Sequence, residues 1–183
     1  MKNIYIVLTR TNTILSKTIH QITKDEYTHA AISLDVNLEI MYSFGRKHPR
    51  NPFLASFKKE TIHTGVYGMT KVLPGKVIEI AVSEEQYIII KTKIDEIAAN
   101  ETQYQYNYAG LFLHLFSIPY ISENRFLCSE FVYYLLQSSG VVKYDISRNL
   151  VKPQMLLMMG GKMIYSGDLK KITPVDPFLQ AVP

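Results

Sequence analysis

The 183-residue chain predicts an α+β fold in which a mostly antiparallel sheet packs against helices. Apolar runs of strand length crowd the first half, helical spacing dominates two stretches of the second half, and the hydrophobic content of 47% is enough for a sizeable core. With no repeat, low-complexity tract or linker, residues 1–183 read as a single domain.

Asn3 to Thr9 alternates around Ile4, Ile6 and Leu8 and predicts an edge or half-buried strand. Ile14, Leu15, Thr18, Ile19 and Ile22 place a short amphipathic helix over residues 13–23. Thr28 to Asp35 and Leu38 to Phe44 are two strand-length runs separated by Val36-Asn37, the pattern of a hairpin. Gly45 and the stretch from Pro49 to Pro52 end it, and an irregular segment carrying Gly65, Gly68, Pro74 and Gly75 leads to a third strand, Lys76 to Val82. Ser83 with Gln86 three residues on is a capping-box pattern, and Tyr87, Ile90, Ile94 and Ile97 continue a helix from about Glu84 to Ala99. A further helix is expected from Tyr106 to Phe116, ending before Pro119. From Cys128 to Ser139 the residues Cys128, Phe131, Val132, Leu135 and Leu136 share one helical face, and Gly140 is the stop. Pro153 opens a short helix through Met158, and Lys162 to Ser166 adds a last strand. Leu111 to Phe116 and the methionines from Met155 to Met163 read as core, with the border of a greasy pocket as the alternative.

One cysteine cannot form an internal disulfide, and polar residues interrupt the N-terminal run too early for a secretory signal, so a reducing cytoplasm is expected. The longest mostly apolar stretch, Ala109 to Ile121, contains His114 and Pro119 and falls short of the roughly 20 residues of a membrane span. The net charge of +4 is scattered, which argues against a nucleic-acid partner. Only Arg46-Lys47-His48-Pro49-Arg50 clusters; it reads as a solvated loop, with peripheral contact to anionic lipid or an acidic substrate as the sharper alternative. Dispersed histidines and a lone cysteine offer no ligand-spaced metal set, and the glycines form no phosphate loop, so no cofactor is expected.

Two residues carry candidate chemistry. In the first turn of its helix Cys128 meets unsatisfied N–H groups and the positive end of the dipole, which stabilise a thiolate and equally an oxyanion. Its place on the apolar face fits a buried structural thiol as well. His29 begins a strand beside Ala30 and Ala31, whose small side chains let another element approach the ring. A histidine base works best when a third group fixes its tautomer. Glu39, Tyr42 and Ser43 on the second hairpin strand are the polar choices, and a register that sequence leaves open decides among them.

The order Thr28-His29-Ala-Ala-Ile-Ser on a strand, a hairpin, and Leu127-Cys128-Ser129-Glu130-Phe131-Val132 opening a helix far downstream resembles the circularly permuted papain-like cysteine amidases of the NlpC superfamily, the YiiX-like branch in particular. The resemblance spans roughly residues 4 to 158 and includes the proline-led stretch Pro153 to Leu156. It implies Cys128 as nucleophile, His29 as general base and later acid, and Ser43 as the best-aligned third member where relatives usually place a carboxylate or another polar group. Glu130 and Ser129 belong to the matching block as helix surface or local capping, and Tyr106 and Tyr108, with Tyr42, are the candidate substrate-binding aromatics. The activity implied is a thiol hydrolase acting on a small peptide of cell-wall type or a lipid-linked amide, with a lipid acyl hydrolase or acyltransferase, or a weakly catalytic binding module, as alternatives.

Overall fold

The computed structural model describes residues 1–10, 25–48 and 51–173, and the helix expected over 13–23 lies outside them. Strands β1 (Lys2–Thr9), β2 (His29–Ser33), β3 (Met41–His48) and β4 (Asn51–Glu60) lead through the single turn α1 (Gly65–Gly68) to β5 (Pro74–Val82). Helix α2 (Glu84–Ala99), β6 (Gln105–Tyr106), α3 (Tyr108–His114), β7 (Arg125–Phe126), α4 (Cys128–Ser138) and β8 (Lys162–Asp168) follow. Among the described residues eight strands form one mixed sheet in the order β7-β6-β4-β3-β2-β1-β5-β8, in which only the β6–β7 pair is parallel. The α+β class is as the sequence implies.

β1 is central rather than an edge, paired with β2 on one side and β5 on the other. Its Ile-Tyr-Ile-Val-Leu run is apolar at both parities, as a strand covered on both faces requires. Ile4, Ile6 and Leu8 enter one core with residues of α2 and α4; Tyr5 and Val7 enter a second with Leu38, Leu73 and Leu169.

The two-residue loop expected between β2 and β3 is instead a seven-residue connection, residues 34–40. Asp35 Oδ1 accepts the N–H groups of Asn37 and Glu39, Ser33 Oγ donates to the carbonyl of Ile40, and Leu38 sits at φ 55°. These local bonds take residues out of both predicted strands. β4 is a larger correction, because the stretch read as irregular pairs with β3 from Met41↔Glu60 to His48↔Asn51 around a register shift between Arg46 and His48. A proline near a strand end and a bulge are both tolerated in an antiparallel pair.

α2 begins where its capping box predicts, with Gln86 N–H donating to Ser83 Oγ and Ser83 N–H to Gln86 Oε1. α4 buries its whole apolar stripe, and Phe131 joins Phe44, Phe57 and Phe126 in a ring cluster with centroids 5.2–6.2 Å apart. Those rings tie α4 to β3, β4 and β7. α3 is shorter than expected, since Asn107 takes the cap position by accepting Gly110 N–H at 2.8 Å. The segment read as core is largely outside it: Phe112 and Phe116 are 61% and 63% exposed. Of the methionines, Met159 is buried while Met158 and Met163 are exposed.

Candidate active site

Cys128 opens α4 and His29 opens β2, and folding brings the two side chains into hydrogen-bonding contact. The N–H groups of Ala30 and Ser129 also bond the sulfur, one from the strand and one from the helix's first turn. Burial opposes charge on the thiol, but the His29 hydrogen bond and charge and these two amides hold its pKa below the ordinary value.

His29 Nε2 donates to Glu60 Oε2 at 2.9 Å, which leaves Nδ1 as the ring nitrogen for the sulfur. Glu60 is the last residue of β4 and 6% exposed. Its carboxylate is held from several sides: Ser43 Oγ donates to Oε2 at 2.8 Å, the Tyr67 hydroxyl donates to Oε2 at 3.4 Å, and Lys58 Nζ lies 2.6 Å from Oε1. Lys58 also donates to the carbonyl of Arg46, and the Tyr67 hydroxyl pairs with Thr9 Oγ1. Burial would raise the Glu60 pKa, but His29 and Lys58 bring it down to about 2. Burial likewise opposes the imidazolium, yet Glu60 and the Cys128 sulfur push His29 up to about 10. The carboxylate is lowered by two facing cations, and the imidazole is raised by two facing anions.

The group that holds the His29 ring is therefore Glu60, not Ser43, Tyr42 or Glu39. Ser43 does not orient the imidazole directly; it is paired with Lys58 across the β3–β4 ladder and reaches the carboxylate that does. Tyr42 points the other way, its ring stacked on Phe57 at 6.3 Å within the core against α2, so it does not line the thiol. Glu39 falls in the connection before β3, its N–H bonded to Asp35. Glu60 went unread because β4 itself went unread: Phe57-Lys-Lys-Glu60 carries no pattern that marks a triad, and only the pairing with β3 puts it beside His29.

Gly45 is a second unread contributor. A Cβ there would stand 3.2 Å from His29 Cε1, so the bare backbone of β3 makes room for the ring. The Tyr67 ring meets His29 edge-on, with centroids 6.1 Å apart.

Tyr106 lies within electrostatic reach of Cys128, and its phenol pKa is raised by burial first and the sulfur's charge second. Tyr108 packs on Tyr106 at 5.0 Å and takes the Ala55 N–H. Of the two readings of Glu130, helix surface or local capping, the second holds: it is fully buried and caps α4 by accepting the Leu127 N–H. It also accepts Asn107 Nδ2, and so locks the start of α3 to the start of α4. Ser129 Oγ donates to the carbonyl of Val151. His114 donates from Nδ1 to the carbonyl of Asn149, a structural bond.

A cavity of about 560 Å³ borders Glu60, Lys58 and Tyr67 and is not lined by Cys128 or His29. No helix among the described residues is long and apolar enough to cross a membrane. Comparison of the chain with family models, with curated proteins and with solved structures gives no match.

Proposed function

We propose that this protein is a thiol hydrolase of the permuted papain-like type, cleaving an amide bond through an acyl-enzyme intermediate. The observation that carries the reading is the relay from the Cys128 sulfur through His29 to Glu60. The sulfur reacts as thiolate beside the His29 imidazolium, the charge states toward which their pKa shifts point. The sulfur adds to the carbonyl carbon, the C–S bond forms, and the carbonyl electron pair moves to oxygen. The first-turn N–H of Cys128, which a helix leaves without an intrahelical acceptor, is the candidate oxyanion donor. His29 then protonates the leaving nitrogen as the C–N bond breaks. In the second half His29 takes a proton from water, whose oxygen attacks the thioester, and the thiolate departs. Glu60 stays ionised throughout and fixes the ring, supplying the full charge that Ser43 lacks.

The substrate class this reading carries is a cell-wall-type peptide or a lipid-linked amide. The exposed apolar run after α3 favours the second, and with it a lipid acyl hydrolase as the alternative chemistry. A thiol that must stay reduced suits a reducing compartment.

Alkylation by iodoacetamide, read by mass spectrometry at neutral pH, tests the relay. The wild type should label at Cys128 faster than a free thiol, Cys128→Ala should take no label, and His29→Ala should label about a hundredfold more slowly. Equal rates in wild type and His29→Ala would end the proposal. Release of amine from peptide amides, set against release from fatty-acyl amides in micelles, separates the substrate classes.

A further inference from the structure

From Tyr108 to Ser122 the chain contains no Asp, Glu, Lys or Arg, and it does not bury its apolar side chains. Phe112, Leu115, Phe116, Ile118 and Ile121 are between 46% and 63% exposed, far more than scattered surface apolar residues require. Phe112 and Phe116 sit one turn apart with rings 5.3 Å from centroid to centroid.

The backbone under these side chains is held firmly. Ile118 N–H donates to the carbonyl of Leu113 and Ser117 N–H to that of His114, with Ser117 at φ 58°, which closes α3 in a Schellman turn. Asn149 then pins the next stretch from inside, Oδ1 accepting Tyr120 N–H and Nδ2 donating to the carbonyl of Ile118, while Arg148 donates to the carbonyl of Ser122. Polar bonds thus fix a run whose apolar groups face outward.

We propose that this run is a membrane-docking surface that seats the protein on a bilayer containing anionic lipid. Side chains of this type insert among acyl chains at the headgroup boundary, where uncharged aromatic and aliphatic groups gain and carboxylates lose. The charge around it is complementary to such a surface. Arg46 acts electrostatically on both Tyr106 and Tyr108, Arg125 is exposed four residues past Ile121, and the chain carries a net +4, with Glu123 the one carboxylate close in sequence. The surface is also continuous with the reactive end of the fold, because α3 starts two residues after Tyr106, which lies within reach of Cys128. Docking there brings the thiol to the headgroup level, so the substrate class becomes a lipid-linked amide or ester; that last step alone rests on the thiol-hydrolase reading.

Sedimentation of the full chain with vesicles of phosphatidylcholine, with and without phosphatidylglycerol, tests the surface independently of turnover. The wild type should co-sediment, more with phosphatidylglycerol and less in high salt. Phe112→Ser with Phe116→Ser should bind about tenfold more weakly, and Ile118→Asn should weaken binding on its own. Both variants should keep the wild-type iodoacetamide rate at Cys128, which reports an intact fold and separates this result from any failure of the thiol chemistry. A wild type that stays in solution with both vesicles overturns the proposal. So does a double variant that binds as tightly as wild type, or a dimer in sedimentation velocity that the double variant dissolves while vesicles bind neither form.

Discussion

Glu60 carries the most consequence of any residue outside the Cys–His pair, because two cations and two hydroxyls share its carboxylate. Glu60→Gln removes the charge but keeps the shape, leaving Lys58 with 16% of its side chain exposed and no anion at 2.6 Å. Breaking a buried pair from one side is costly, and the variant should lose up to about 3 kcal/mol in urea unfolding. Its His29 pKa should fall, and with it the alkaline limit of turnover, which needs the imidazolium as proton donor. Ser43→Ala deletes one donor to the same carboxylate, so a loss of about 1.5 kcal/mol is expected. The ring stays oriented there, and turnover should fall far less than in Glu60→Gln. Equal effects of the two changes would return Ser43 to the role the family resemblance implies for it.

Two elements are shaped by single backbone positions. β3 passes His29 at Gly45, where an added methyl would stand 3.2 Å from the ring. Gly45→Ala should therefore shift the imidazole and slow alkylation without unfolding the sheet. α3 ends on Ser117 at φ 58°, a conformation that favours glycine. Ser117→Gly should raise stability by about 1 kcal/mol in the same unfolding assay, with no change at the thiol. Helices α2 and α4 and their ends were the most legible elements, since the Ser83–Gln86 box, the stripe from Phe131 to Leu136 and Gly140 are all local signals. β4 was not, because a strand containing Pro52 and a register shift is defined by its partner rather than by its own alternation.

For the whole molecule, the buried His29–Glu60 pair couples stability to pH at both ends. Glu60 is depressed from 4.5 to about 2, so its contribution is complete above about 4.5 and is lost as pH falls toward 2. His29 is raised from 6.5 to about 10, so its contribution is complete below about 6.5 and is lost as pH rises through 10. Thermal unfolding across pH should show both flanks, and Glu60→Gln should flatten the acid one. The sequence by itself determined the α+β class and the limits of α2 and α4, and it singled out Cys128 and His29 as candidates, because periodicity, caps and the Thr-His and Cys-Ser-Glu blocks are written in neighbouring residues. Only tertiary structure decided that Glu60 completes the site, that Tyr42 faces away, and that Phe112 and Phe116 stand outside the core. Each of these depends on which strand lies beside which, or on what covers a helix face, and such pairings between distant segments leave no local trace in the chain.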